Sequence, residues 1–574
     1  MEKLKENYIT LKLSDWLYNA GIVGLINILG EDNVRYKTYE KNSDLEYDEI
    51  EIKIDAFNNF EEKYFNYFIN TYKNLNWYQL ISYKEIIEHK IGQNEFSKED
   101  IEIINKIIKS FKDNLKKASF KSAYDLIYKE LNTLDILEEI TKLKNITKSS
   151  NVELIKDNLL KLKNILVFLE NPISKKYIVA KNVMYSIIKN AWNGVSFLNP
   201  QTKEKDMYID YKNYFLEPFL EYKKLENDEI KKYKYTCFSC NRPMKKLDVN
   251  MSFIKNIGFD DARKPSNVWD FVNDTYICPV CKLVYSCIPA GFTYVYNKGL
   301  FVNLNHSIED IYNINKRIIM KTYSDSINEN DKYMFSYKTL LSSIYENLNK
   351  TTKYEYSDIQ IVKLENEKYY FNILSKKTLS VLNKSSILLN EIINNYYYPT
   401  KKDDYKKDDY KDKIMLYEEI IFRITNNVEL YSLINDLLRI KLSDRTNGYY
   451  SIRTINNLIK INLNYLSEVK DMKDFNESEV KQANYYGYLM RQFYLSKGSE
   501  HKLSGISYKL LNALKVNNKD SFMDTLLNSY LYVDKPVPKI IIEALDNNDI
   551  FKSVGYAYIA GLFGEYKKGD ENNG

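Results

Sequence analysis

The sequence predicts an α+β chain, mostly helical, with a mixed N-terminal domain followed by a C-terminal helical bundle. Three observations predict it. Among 574 residues only 17 are Gly and 10 are Pro, well below the usual ~7% and ~5%, which argues against turn-dense β-sandwiches and Gly-rich linkers. Residues 1–230 alternate between strand and helix periods, whereas from Met415 nearly every segment carries the helical period. Length sets a prior of two to four domains, at ~150 residues each.

The elements follow in chain order. Glu49-Ile-Glu-Ile-Lys-Ile-Asp55 alternates charged and apolar residues as a half-buried strand does, and Val34 to Tyr39 is its expected partner. From Ser97 to about Leu169 the period is helical, with Ser97-Lys-Glu-Asp100 as an opening cap. Residues 291–305 read as a hairpin turning at Asn297-Lys-Gly299, and 358–374 as a second one turning near Glu365-Asn366. Lys401 to Lys413 repeats KKDDY without one aliphatic residue, so it reads as a solvated linker, with an overlong charged helix turn as the alternative. The expected domains are therefore 1–400, the linker 401–413 and the bundle 414–574. Bundle helices are expected near 415–441, 450–469, 477–497, 502–516, 519–532, 536–546 and 550–563, with Gly498 as a C-cap.

The strongest local signal is Cys237-Phe-Ser-Cys240 followed by Cys278-Pro-Val-Cys281. Each Cys-x-x-Cys can form a knuckle whose thiolates face one metal, and two knuckles complete a closed tetrahedral Zn²⁺ site. This predicts a four-Cys zinc ribbon over 231–290, embedded in the N-terminal domain; the 37 residues between the pairs exceed the usual ~15–20, so the ribbon carries an insertion. Tyr276, Ile277, Leu283 and Val284 bracket the second pair in strand-like fashion. Disulfides or redox Cys-x-x-Cys chemistry are the alternatives. Cys287 is left over and is expected to be buried. Four Cys ligands leave no open position for water, so such a zinc is structural.

Compartment follows from what is missing. The start, MEKLKENYITLKL, has no apolar signal-peptide core, and the most apolar early run, Trp16 to Leu29, contains Asn19 and Asn27. No run reaches the ~18 apolar residues of a membrane span. A cytoplasmic protein with reduced cysteines and no membrane partner is expected. Enzyme signatures are also scarce. His89, His306 and His501 have no metal-site spacing, and no phosphate-loop or nucleophile-elbow motif occurs. Asp358, Glu365 and Lys368 form a faint metal-nuclease pattern.

A net charge of +5 hides three basic patches. Residues 171–203 hold five lysines and no acid; 231–264 hold nine Lys/Arg against three Asp; 481–519 hold seven Lys/Arg against one Glu. Segregated basic patches are what phosphate binding requires. The first encloses the loop Asn190 to Gln201, where Trp192 either stacks on a base or anchors packing. Asn193, Asn199, Gln201 and Lys203 are its candidates for reading base edges and phosphates. Arg242, Lys245, Lys246, Arg263 and Lys264 are the candidates beside the cysteines; Lys481, Arg491, Lys497 and Lys502 are those on the bundle.

Asp15-Trp-Leu-Tyr-Asn-Ala-Gly-Ile-Val-Gly-Leu25, the mid-chain cysteines and the Asn190-Ala-Trp-Asn-Gly-Val-Ser-Phe197 loop resemble one family along the whole chain. So do Tyr486-Gly-Tyr-Leu-Met-Arg491 and Ala557-Tyr-Ile-Ala-Gly-Leu562 in the helical C-terminus. That family is the large subunit of the type I-B CRISPR Cascade interference complex, the Cst-type family. The resemblance implies a non-catalytic subunit that holds the 5′ end of guide CRISPR RNA and reads the target-flanking motif (PAM) in double-stranded DNA. It implies Cascade backbone and small subunits as partners, and a helicase–nuclease recruited in trans for antiviral defence. It also implies that a separate small subunit can start inside the gene, for which Met415 is suitably placed. Independently, Ala20, Gly21 and Gly24 put small residues on one helix face, an architectural feature that lets another backbone approach. Two other readings of the residues stay open: a metal-dependent nuclease at Asp358/Glu365/Lys368, and a stand-alone zinc-ribbon nucleic-acid-binding regulator.

Overall fold

The computed structural model describes residues 8–38, 48–72, 76–131, 135–147, 150–225, 227–258, 275–295, 298–304, 307–324, 359–365, 367–398, 413–443, 448–472 and 477–564. The chain is mostly helical with several small sheets, and it divides into two compact units, Met1–Ser326 with Ile361–Phe371, and Ile327–Gln360 with Asn372–Gly574. No helix among the described residues is long and apolar enough to cross a membrane.

The first unit opens with strand β1 (Tyr8–Lys12), helix α1 (Trp16–Leu29) and strands β2 (Val34–Thr38) and β3 (Asp48–Lys53). The sheet order is β1-β3-β2, both pairings antiparallel. The alternation around Glu49 placed β3 and its partner β2; β1, which covers the other edge of β3, carries too short a pattern to read from sequence. Ile50 and Ile52 point inward and are fully buried. Asp15 caps α1 by accepting hydrogen bonds from the backbone N–H groups of Leu17 and Tyr18. Further on, Ser97 and Asp100 form the expected reciprocal cap on helix Lys98–Leu115.

α1 is buried nearly all round because it packs against two short helices, Pro279–Ser286 and Ile288–Gly291. Its glycines make that possible. A Cβ on Gly24 would lie 1.9 Å from the Cys287 carbonyl oxygen, and one on Gly291 would lie 2.0 Å from that of Ala20. The crossing is backbone against backbone. Asn19 and Asn27, polar residues in an apolar run, are used there: Asn19 donates to Asn303 Oδ1 (3.0 Å) and Asn27 to the Ala290 carbonyl (2.9 Å). Beside them runs a four-stranded sheet formed by two hairpins, with strands in chain order: β6 (Thr293–Val295), β7 (Lys298–Leu304), β8 (Ile359–Glu365) and β9 (Lys368–Leu374). Both hairpins are present, the second turning after Glu365 as expected; the first turns earlier than Asn297-Lys-Gly299, because Lys298 and Gly299 already belong to β7 and pair with Val295 and Tyr294. Strands β4 (Tyr235–Thr236) and β5 (Pro243–Met244) form a separate pair at the first cysteine knuckle.

The second unit holds helices Leu416–Thr425, Tyr431–Ser443, Ile452–Val469, Glu477–Ser496, Leu503–Lys515, Lys519–Val533, Lys539–Glu543 and Asn548–Phe563. Periodicity located each of these, apart from the break at 426–430 inside the expected first helix. Gly498 adopts φ 62, as the αL residue after a helix end does. Residues before the charged run belong to the same core: Val381, Leu382, Leu389 and Ile392 are buried with Leu416, Ile420, Leu458 and Leu466. A small sheet, order β11-β10-β12, joins β10 (Tyr396–Tyr397) to β11 (Ile414–Met415) and β12 (Gly448–Tyr449). Of the run 401–413 only Lys413 lies among the described residues; its ammonium sits 4.0 Å from the Tyr396 ring centre.

Candidate metal centre

The first Cys-x-x-Cys pair occupies the tight turn between β4 and β5. Cys237 N–H donates to the Arg242 carbonyl (2.8 Å) and Asn241 N–H to the Cys237 carbonyl (3.0 Å). Asn241 takes φ 58, a left-handed conformation that Asn tolerates better than most residues. The second pair opens helix Pro279–Ser286, with Cys278 as N-cap residue and Pro279 at the first helical position. Leu283 and Val284 are therefore helical, not strand-like as their flanking pattern suggested. Pro279 accounts for this, because its φ suits a first helical turn and its missing N–H loses nothing there. The knuckles are tied directly: Phe238 N–H donates to the Tyr276 carbonyl (2.9 Å) and Cys278 N–H to Cys237 Sγ (3.2 Å).

All four sulfurs lie within 4.8 Å of one another, and Cys240 Sγ is 3.6 Å from Cys278 Sγ. That is far longer than a disulfide bond of ~2.05 Å, and every cysteine is free. Metal–sulfur bonds of ~2.3 Å in a tetrahedron would separate the sulfurs by roughly 3.8 Å, so the spacing fits one four-coordinate ion. Charge points the same way. Hydrogen bonds from Cys240, Cys278 and Cys281 hold the Cys237 thiol far below its ordinary range. Cys237 and Cys240 push Cys278 well up, and burial does the same to Cys281. Four thiolates cannot coexist here uncompensated; a bound dication removes the conflict. Cys287 stands apart, buried as expected, its thiol donating to the Leu283 carbonyl (3.3 Å) and pushed up to about 12 by burial.

Two residues complete the centre that spacing alone did not reveal. The Tyr18 hydroxyl, on α1, lies 3.8 Å from Cys281 Sγ. Arg242 donates through Nη2 to the Thr10 carbonyl of β1, and the charges of Cys240, Cys278 and Cys281 act on its guanidinium. The opening Asp15 to Leu25 stretch was the only sequence sign that α1 reaches this centre.

The other nucleic-acid candidates fall in distinct settings. Trp192 is fully buried, donates to the Ser286 carbonyl (3.0 Å) and packs on Phe197 and Phe215, so it is a packing anchor. Its loop is pinned to the segment between the cysteine pairs, through Asn193 N–H to the Phe253 carbonyl (2.9 Å) and Lys255 N–H to the Ala191 carbonyl (2.8 Å). Asn193 and Asn199 are half-buried on this loop and Gln201 and Lys203 exposed; Asn199 Oδ1 accepts from Gln201 N–H (3.0 Å). The surrounding lysines are a thinner patch than their count implied: Lys181 is buried, which lowers its pKa, and Lys176 pairs with Glu62 (2.7 Å).

Lys245 and Lys246 are exposed beside the first knuckle, Lys246 pairing with Asp248 (2.8 Å). Arg263 and Lys264 lie outside the described residues, as do His306 and Asp358. In the bundle, Lys481 pairs with Glu477 (3.2 Å), while Arg491 ties the Phe563 carbonyl (2.9 Å) to Glu500 (3.0 Å). Lys497 and Lys502 converge on Tyr532, at 5.2 and 4.2 Å from its ring centre. Glu365 pairs with Lys298 (3.2 Å).

No curated protein and no solved structure matches the chain significantly. Residues 230–293, the stretch that holds all four cysteines, match the family model described as CRISPR-associated protein (Cas_CXXC_CXXC), and this supports reading the chain as a CRISPR-associated protein.

Proposed function

We propose that the chain is the non-catalytic large subunit of a CRISPR RNA-guided surveillance complex in the cytoplasm. In this reading it contacts the 5′ end of the guide RNA, recognises the target-flanking motif in duplex DNA, and docks a helicase–nuclease. The observation that carries the reading is the match over 230–293 centred on a closed four-thiol cluster. Sequence is then read by guide pairing, and the protein contributes phosphate contacts and a few base-edge contacts. Asn193, Asn199, Gln201 and Lys203 are the candidates for the flank, on a loop pinned to the cysteine module. Lys497 and Lys502 are the candidates for strand contacts on the bundle.

The metal is proposed to be Zn²⁺ held by Cys237, Cys240, Cys278 and Cys281. A closed thiolate set supplies stability and no reactive water. It holds the β4–β5 knuckle against the helix that supports α1.

Co-expression with the neighbouring genes tests the proposal. Co-purification of guide RNA and backbone subunits with the chain is expected. Tight nucleic-acid binding by the isolated chain with no partner would overturn it in favour of a stand-alone regulator. Alanine at Asn193 and Gln201 should weaken target binding more on duplex than on pre-opened DNA; equal loss on both would end their role at the flank.

A further inference from the structure

Beside the cysteine centre, within the first unit, lies a cleft of about 1,170 Å³. Its aromatic lining comes from four places in the sequence: Trp16 at the start of α1, Phe238 between the first two cysteines, Tyr285 after the last, and Tyr369 and Phe371 on β9. Trp16 stands edge-on to Tyr369 (5.0 Å) and Phe371 (5.2 Å). Phe371 is 47% exposed and Phe238 52%. Ser14, Asp15, Ser239, Asn256, Glu367 and Lys368 supply the polar groups.

We infer that this cleft receives one unstacked nucleobase of a single strand, an inference that rests on the nucleic-acid reading above. Five aromatic rings line the cleft beside the aliphatic Leu17, Met251 and Ile257, and exposed rings of this kind suit the flat π-face of a base. The polar groups include both donors and acceptors, as a base edge requires. Asp15 Oδ1 accepts from Leu17 N–H (2.9 Å) and Tyr18 N–H (3.2 Å), while Oδ2 has no partner among the described residues. It is placed as an acceptor for an exocyclic amino group, so adenine, guanine and cytosine are favoured over thymine and uracil. The helix N-terminus offsets the Asp15 charge, and Lys255 offsets that of Glu367 (3.0 Å). Lys368 is left as the cation with no ion-pair partner among the described residues, which suits one backbone phosphate. The knuckle that carries Phe238 fixes one wall, giving the metal centre a role in recognition as well as in stability.

The test uses the metal-loaded full chain within its complex, and a short single-stranded DNA carrying one 2-aminopurine. Quenching of the probe on binding is expected. Phe371→Ala should abolish the quenching and weaken binding by roughly five- to 150-fold, the range for one lost base–aromatic stack. Phe371→Trp should restore both. Lys368→Gln should lower the salt dependence by about one phosphate contact. Unchanged quenching and affinity in Phe371→Ala and Lys368→Gln, with the wild-type chain binding the probe, would overturn the inference and leave the nucleic-acid reading standing. Absence of binding by the chain both alone and in its complex would overturn the two together.

Discussion

In both compact units a glycine-bearing helix meets another backbone directly, yet the two crossings are secured differently. In the first, Gly24 of α1 faces the carbonyl of Cys287, the residue that ends the helix Pro279–Ser286 capped by Cys278, at a distance that excludes any Cβ. In the second, Gly487 faces the Tyr558 carbonyl and Gly561 the Asn484 carbonyl, between two long helices whose remaining contacts are ordinary core packing. One crossing ends on a thiol cluster assembled from residues about forty positions apart. The other is supported by a core drawn from every described α-helix between Lys376 and Phe563. The first crossing therefore leans on a few residues, whereas the second is held by packing spread along both helices.

Metal removal should separate the units most sharply. Chelation, or Cys237→Ser, is expected to release about one zinc per chain and to abolish the melting transition of the first unit while the second unit's persists. The apparent binding energy of structural zinc in small peptides, ~10–16 kcal/mol, sets the scale. Calorimetry with and without chelator reads it, and one transition unmoved by metal loss would erase the contrast.

Glycine substitution should instead unite them. Gly24→Val and Gly487→Val each force a carbonyl oxygen out of a 1.9 Å approach, so each should destabilise its own unit by about 4 kcal/mol or more. Urea unfolding of both variants checks this; a near-neutral result at either site would show that the crossing gives way.

A product starting at Met415 would lack β10, which pairs with both β11 and β12, and the buried side chains of Val381, Leu382, Leu389 and Ile392. Each such side chain stabilises by about 1.5–3 kcal/mol when buried. Residues 415–574 should therefore melt lower and bind more apolar dye than 372–574; equal behaviour would make 415–574 a self-sufficient subunit.

The smallest effect concerns Asp100, whose carboxyl is held down to about 2, first by Lys90 and then by Ser97. A depressed folded pKa gives stability that is present above the unfolded value near 4 and is lost as pH falls toward about 2. Asp100→Asn should lower stability slightly near neutral pH, leave it nearly unchanged below about pH 2, and so flatten that part of an acid titration.

Much of this was legible because the signals are local. Cysteine spacing found the four thiols that cluster, and turn residues found both hairpins, the first a residue or two out of place. Helical periodicity found the bundle, since a helix must present one apolar face whatever it packs against. What escaped depends on long-range contact. Lys181 and Arg242 count as charges in any window, but burial in one case and the thiols in the other decide where they point. The strand-like look of Leu283 and Val284 was overruled by the helix that Pro279 opens.

The sequence by itself determined the inventory: two units' worth of helices, one four-thiol set, and glycines where backbones meet. Only the tertiary structure decided which charges face solvent, that Tyr18 stands beside Cys281, and that five aromatic rings from four places share one cleft. The physical reason is range. Periodicity, capping and ligand spacing act over a few residues, whereas burial and charge pairing depend on neighbours that can be hundreds of residues away.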